Sequence, residues 1–309
     1  MDKIGCLIVT FNPSLDGLIK NLNACSTQIE DILIVDNGSS NIKEIEELKK
    51  TYNIHIYKLI KNIGIAGAQN KGFKILAKKG FNWILTLDQD SEIPRLLISA
   101  FTSCGKMVKD TGIITPAYID ENWSKQKKKS VGIEKADFHK ISEKKLVISS
   151  GNLVNVRAWE RVNGFDEKLF IDLVDFDFNT KLRLAGYKIY QLDNIYIQHS
   201  IGSSIKRNVL GKLLFLPDIS TTSDHAPMRQ YYIYRNSIIF YKRYAKLYKK
   251  RFLVLRTVVA TRRIFLYKDR AKKFSAAFKG IIAGQRYSPK KDKKFQKTMN
   301  LLQGGEQNQ

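Results

Sequence analysis

The strongest constraint on how this chain can fold is an alternation in its first third. Short apolar runs at 4–10, 32–36, 54–59 and 83–88 are each followed by a helix-patterned stretch, at 15–25, 42–52, 66–79 and 94–109. Strand and helix signals that alternate in this way predict βαβ units and a mostly parallel sheet. In such sheets ligands bind beyond the carboxyl ends of the strands. Polar residues gather at those ends: Thr10-Phe11-Asn12-Pro13, Asp36-Asn37-Gly38-Ser39, Asn62-Ile63-Gly64 and Asp88-Gln89-Asp90.

The 309 residues suffice for one large α/β domain with an appendage, or for about two average domains. Cys6, Cys25 and Cys104 are odd in number and form no C-x-x-C pair, which argues against a disulfide framework or a zinc site and fits a reducing compartment. The first ten residues enter a strand pattern without a signal-peptide layout, and no run of about 18 uninterrupted apolar residues occurs. A cytoplasmic protein that does not span a membrane is expected. The net charge of +24 is concentrated: residues 229–297 hold 22 Lys/Arg against two acids, Asp269 and Asp292.

Beyond the fourth unit, the lysine-rich stretch 124–145 reads as an exposed connection. A strand at 146–150, a turn at Asn163-Gly164, a short helix at 175–185 and a strand pair at 187–199 are expected to follow. From Met228 three helical stretches interleave bulky apolar with basic residues. This divides the chain into an α/β part, 1–227, with halves at about 1–120 and 146–227, and a basic helical region, 228–309.

Two carboxylates one residue apart at a strand end, Asp88 and Asp90, suit a divalent cation held against a diphosphate, since hard oxygen ligands favour Mg²⁺ or Mn²⁺. The same residues serve an ordinary capping turn. Asp36 can accept hydrogen bonds from a base or ribose, or close an Asx turn. The small residues of 62–72 let helix amides approach a nucleotide, or let a helix pack tightly on the sheet. Asp172, Asp175 and Asp177 form an acidic cluster inside an apolar run, where a partly desolvated carboxylate makes a better general base; acids at a helix N-terminus also favour the macrodipole. His199 ends a strand and is a ligand only in company. Arg229 and Arg235 offer bidentate grips for phosphate or for an acid.

In order along the chain, T-F-N-P, V-D-N-G-S, N-x-G-x-A-G-A-Q-N-x-G, D-Q-D, G-F-D, F-I-D-x-V-D-x-D, H-x-x-G and R-x-Y-Y-x-x-R-N resemble the inverting GT-A glycosyltransferases of family 2, and among these the bacterial rhamnosyltransferases. The resemblance covers roughly residues 4–245. It implies a Rossmann-like nucleotide-diphospho-sugar transferase fold with a basic helical C-terminal extension. It places Thr10, Phe11, Asn12, Asp36, Asn62, Gly64, Asn70, Asp88 and Arg235 at the nucleotide. Asp90, Asp88 and His199 would hold Mg²⁺ or Mn²⁺. Asp175 would be the catalytic base, with Asp172 and Asp177 as possible partners, because Val174 stands where many members carry a second acid. The implied donor is dTDP-rhamnose and the implied acceptor a lipid-linked saccharide, in cell-surface polysaccharide synthesis; a UDP-sugar such as UDP-galactofuranose is the alternative donor.

A nucleic-acid-binding protein is the rival class, given the basic C-terminal segment and its Tyr and Phe residues. Yet the basic residues alternate with Phe252-Leu253-Val254-Leu255, Ile264-Phe265-Leu266 and Ile281-Ile282. Basic helices with a bulky apolar face favour an anionic membrane surface, so peripheral attachment at the inner face of the membrane is expected and nucleic acid is not. A dinucleotide-dependent dehydrogenase is excluded, since no G-x-G-x-x-G follows the first strand.

Overall fold

A computed structural model describes residues 2–120, 140–199, 204–206, 219–221, 225–248, 261–262 and 264–303. It divides into two compact units, one of residues 1–170, 174–199 and 301–309, the other of 171–173 and 200–300.

The first unit is built on an eight-stranded sheet in the order β3-β2-β1-β4-β7-β5-β8-β6. β1 (Ile4–Thr10), β2 (Ile32–Asp36), β3 (Ile54–Lys58) and β4 (Trp83–Asp88) pair in parallel, as the alternation predicts. Their register sets Thr10 opposite Asp36, Asp36 opposite Lys58, and Val9 opposite Asp88, so the polar strand ends line one edge. β7 (Asn152–Asn155) runs antiparallel between β4 and β5 (Thr111–Asp120), and β8 (Lys188–His199) returns parallel to β5.

Period-two side-chain alternation explains the layers. Cys6 and Ile8 of β1 pack with Leu18, Leu22 and Cys25 of α1 (Leu15–Ser26). Leu7, between them, meets α3 (Gly64–Lys78) instead: a Cβ on Gly72 would lie 2.3 Å from Leu7 Cδ1. The glycine at position 72 therefore brings helix and strand close together, and a larger residue there would displace the Leu7 side chain. Behind α3, Phe73 stacks on Trp159 of α5 (Val156–Arg161), and Phe165 sits 4.3 Å from Phe178 of α6 (Val174–Leu184). α2 (Ile42–Glu47) and α4 (Leu97–Ser103) complete the connections. The three cysteines are free and buried.

Four local expectations are corrected. The strand expected at 146–150 is a turn segment, because the carbonyls of Val147 and Ser149 bond to the side chains of Asn179 and Thr86 and not to a neighbouring strand. The expected pair at 187–199 is one strand, bent by a register shift opposite Pro116 and Ala117. The 124–145 connection holds a short strand, β6 (Ile141–Glu143), whose residues pair with β8, while 121–139 lies outside the described residues. The helix expected over 94–109 is confined to α4, with Gly105 left-handed just after it.

The second unit contains a two-stranded ribbon, β9 (Ser204–Lys206) with β10 (Ile219–Thr221). Its described residues include the helices α7 (Pro227–Tyr244), α8 (Arg270–Arg286) and most of α9 (Lys293–Gln303). α7 and α8 cross closely at Gly280 and Gly284, where Cβ atoms would meet Tyr231 O at 2.3 Å and Ile238 Cβ at 2.8 Å. Tyr234, Ile264, Tyr267 and Ala277 form the local core. Arg243 and Asp292 pair at 3.0 Å with both side chains buried, and Tyr287 donates its hydroxyl proton to the same carboxylate. One of the two acids in the basic segment is thus consumed inside the fold.

Candidate active site

The loops after β1, β2 and β3 brace one another through side-chain amides and carboxylates. Asp36, only 1% exposed, accepts from Thr10 Oγ1 at 3.0 Å and from the amides of Gly38 and Ser39 at 3.2 and 3.0 Å. That is the geometry of a turn-closing carboxylate. Asn12, left-handed at φ 47°, takes Ser39 Oγ on its amide, and its side chain accepts from the amide and hydroxyl of Ser40. Asn37 bonds Asn62 Oδ1 at 3.0 Å and accepts from Ile63 N, while Asn62 Oδ1 also receives Gly64 N at 2.8 Å. Thr10, Asn12, Asp36, Asn62 and Gly64 are thus brought together at one edge of the sheet. Phe11 is 43% exposed beside them, its amide donating to Gln89 Oε1.

Gly64 opens α3 with φ 82°, and a Cβ there would strike Phe170 O at 2.6 Å. Phe170 O accepts from Ile65 N at 2.8 Å. Two amides at the start of α3, of Gly64 and Ile65, are therefore used within the fold. Asn70, expected at the nucleotide, is buried. It donates to Phe165 O and Glu167 Oε1 and accepts from Phe165 N and Trp159 Nε1, which fills the four-bond capacity of its amide.

The Asp88-Gln89-Asp90 turn is held from beneath. Asp88 N donates to Ser150 Oγ, Asp88 O accepts from Asn21 Nδ2 at 2.7 Å and from Ser91 N, and the hydroxyls of Ser91 and Ser150 meet at 2.6 Å. Asp88 is half-buried and Asp90 exposed. Asn21, Ser150 and Gln89 were not anticipated as site residues. A signal for the first existed: Asn21 falls in the Leu18, Leu22, Cys25 buried stripe of α1, where a polar residue must serve a partner.

The acidic cluster is divided by its surroundings. Asp177 is fully buried and ion-paired to Lys181 at 3.2 Å, and Lys181 also donates to Gly164 O. Asp172, in the second unit, is gripped by Arg229 Nη2 at 3.1 Å, with Nε near both oxygens. Burial pushes the Asp172 carboxyl above its ordinary value against the pull of that guanidinium. Asp175 is half-buried in the first turn of α6 and accepts from Phe176 N. Arg235 stacks over Tyr232 at 4.6 Å and donates through Nε to Asn236 Oδ1. His199 closes β8, and its side chain lies outside the described residues.

Residues 6–158 match the family model described as glycosyl transferase family 2. The dTDP-rhamnosyl transferase RfbF of Shigella flexneri is 30% identical over 254 residues, 78% of this chain and 80% of that one. The chain belongs to glycosyl transferase family 2. Two solved structures share the fold of this glycosyltransferase. S. aureus TarS 1-349 in complex with UDP-GlcNAc has a TM-score of 0.53 at 15% identity, covering 99% of this chain and 92% of that one. The mannosyltransferase PcManGT from Pyrobaculum calidifontis in complex with GDP-Man and Mn²⁺ has a TM-score of 0.53 at 11% identity, covering 99% and 87%. The architecture is accordingly GT-A-like, a mixed, mostly parallel sheet with C-terminal helices.

The turn at Asp88–Asp90 fits a divalent cation of the kind such glycosyltransferases use. Among the described residues no group of three or more His, Cys, Asp and Glu forms a complete metal cage. Mg²⁺ needs none, because it is held by one or two carboxylates with substrate phosphates supplying further oxygens. Asp88 and Asp90 offer that number, on a backbone fixed by Asn21, Ser91 and Ser150.

Proposed function

We propose that this glycosyltransferase moves L-rhamnose from dTDP-rhamnose to a hydroxyl of a lipid-linked saccharide, with inversion, at the inner face of the membrane. The observation that carries the donor is the 30% identity, over most of both chains, to a dTDP-rhamnosyl transferase. The braced loops after β1, β2 and β3 form the floor for the nucleotide, with Phe11 exposed beside it.

Asp175 is the base. It stands half-buried in the first turn of α6, as the middle acid of the F-I-D-x-V-D-x-D motif that carries the resemblance. Its carboxylate takes the proton of the acceptor hydroxyl as that oxygen attacks the anomeric carbon, on the face opposite the departing diphosphate. The sugar–diphosphate bond breaks as the glycosidic bond forms, and the anomeric configuration inverts. Asp88 and Asp90 would hold Mg²⁺ or Mn²⁺, which when bound would neutralise charge on the leaving diphosphate.

No described helix is long and apolar enough to cross a membrane. The basic helices are read as the surface that meets anionic lipid. The test is a donor panel: dTDP-rhamnose, UDP-sugars including UDP-galactofuranose, and GDP-sugars, each with Mg²⁺ or Mn²⁺ and a prenyl-diphosphate saccharide, followed by nucleoside diphosphate release. Preferential release of dTDP is expected. Preferential release of UDP or GDP would overturn the donor, and no release from any donor would overturn the activity.

A further inference from the structure

The Asp88–Asp90 turn and α6 both bond to one short segment of the first unit, residues 147–152, which leads into β7. On the strand side, Thr86 of β4 donates through Oγ1 to Ser149 O at 2.7 Å, and Gly151 N returns a bond to Thr86 O at 2.8 Å. Ser150 Oγ accepts from Asp88 N at 3.2 Å and meets Ser91 Oγ at 2.6 Å, so one hydroxyl ties both ends of the acidic turn. Ser91 and Ser150 are both buried, where exclusion of water strengthens such bonds.

On the helix side, Asn179 of α6 donates through Nδ2 to Val147 O at 2.7 Å. It stands four residues after Asp175, one turn along the same face of the helix. Asn179 is 1% exposed, and its Oδ1 has no hydrogen-bond partner among the described residues. A buried amide oxygen left unpaired costs stability, so what this side chain supplies is the bond to Val147. Between the two anchors Gly151 is left-handed at φ 83°, where a Cβ would crowd Pro116 Cγ at 3.1 Å and Ile197 Cδ1 at 3.2 Å.

We infer that residues 147–152 form a bracket between the Asp88–Asp90 turn and α6, and that Ser150 and Asn179 are positioning residues which set where those carboxylates stand relative to Asp175. The inference rests on the reading of Asp88 and Asp90 as ligands of the cation and of Asp175 as the base. Transfer with inversion needs the base and the leaving diphosphate on opposite faces of the anomeric carbon, so their separation has to be held to within about 0.5 Å. Ser150 acts through Asp88 N and Asn179 through Val147 O, each on backbone that carries or supports a reacting group.

The test combines amide hydrogen exchange on the metal-free full chain with steady-state kinetics, comparing wild type with Ser150→Ala, Asn179→Leu and the double variant. Exchange is expected to rise at the far end of the bracket in each case: at 88–91 in Asn179→Leu and at 176–180 in Ser150→Ala. Transfer kcat should fall about 10- to 100-fold in each single variant, the size that a small misplacement of a reacting group produces, with donor KM little changed. The double variant should lose little more, because a bracket cut at one end no longer transmits the other. Melting curves identify any global loss. Ser150→Ala deletes one oxygen atom and keeps the fold, so its exchange at 176–180 and its kcat carry the test if Asn179→Leu unfolds. Loosening confined to 147–152, kcat left intact, or kcat losses that multiply in the double variant would make the anchors independent and overturn the inference. A raised donor KM with kcat intact would mark a direct donor contact and overturn it too. A wild type that turns over no nucleotide sugar would defeat the transferase reading alone, and the exchange comparison would still decide whether 147–152 couples turn and helix.

Discussion

At the scale of single residues, the role of each carboxylate follows from the groups around it. Asp177 faces Lys181 in a dry setting and Asp172 faces Arg229, while Asp175 occupies the first turn of α6. Asp175→Asn is expected to keep the fold and donor affinity while lowering transfer by roughly 10²–10⁴-fold, the usual share of a general base. If Asp172→Asn or Asp177→Asn proves more damaging to kcat at equal stability, the base has been misassigned. Asp90→Ala is expected to abolish metal-dependent turnover and weaken nucleotide binding; full activity in that variant, or in wild type with excess chelator, would remove the metal. Sequence reasoning could place these acids at a strand end and a helix start, because the spacing is local. It could not foresee the partners of Asn70, since Trp159, Phe165 and Glu167 lie some ninety residues away and leave no mark at position 70 itself. Asp36 presents the same limit in another form: both of its readings, turn-closing and ligand-binding, need the same residue.

At the scale of elements, the parallel strands and their helices were legible because their periodicity is strong, and β5 was not. Its sequence, TGIITPAYID, carries a glycine and a proline that ordinarily demote a strand. The structure places Pro116 at a register shift, where a missing ladder bond does no harm. Helix crossings are equally silent in sequence. Gly280 meets the backbone of α7, which cannot move aside as a side chain can, so Gly280→Ala is expected to destabilise the protein by about 1–3 kcal/mol. Ser275→Ala, on the exposed side of the same helix, should be nearly neutral in the same denaturant titration. The Arg243–Asp292–Tyr287 network gives a pH-dependent counterpart. Burial holds the Tyr287 phenol well above its ordinary value of 10.0, so the folded state keeps a proton that the unfolded state gives up. Stability from this group is therefore intact below about pH 10 and falls as pH rises above it. Tyr287→Phe should flatten that alkaline decline in melting curves, and an unchanged slope would assign the effect to other tyrosines.

At the scale of the whole molecule, charge is the dominant asymmetry. Among the described residues, eleven Lys/Arg between 229 and 297 are exposed, while Asp292 is buried in its ion pair. Each cation near an anionic leaflet contributes on the order of 1 kcal/mol. Co-sedimentation with anionic vesicles, partial release by salt and weakening in Lys272→Glu/Lys279→Glu are expected. Equal binding to neutral vesicles would remove the electrostatic part, and tight nucleic-acid binding without vesicle binding would favour the rival class. Strand order has a consequence of another kind, for the chain as it is made. β7 lies between β4 and β5, so a ribosome must reach Asn155 before the far edge of β4 finds its partner or β5 joins the sheet. At about 5–20 residues per second the nascent chain shows an unpaired apolar edge for several seconds. Products of premature termination before Asn152 would keep that edge permanently, and would burden the cell as aggregation seeds rather than merely lack activity.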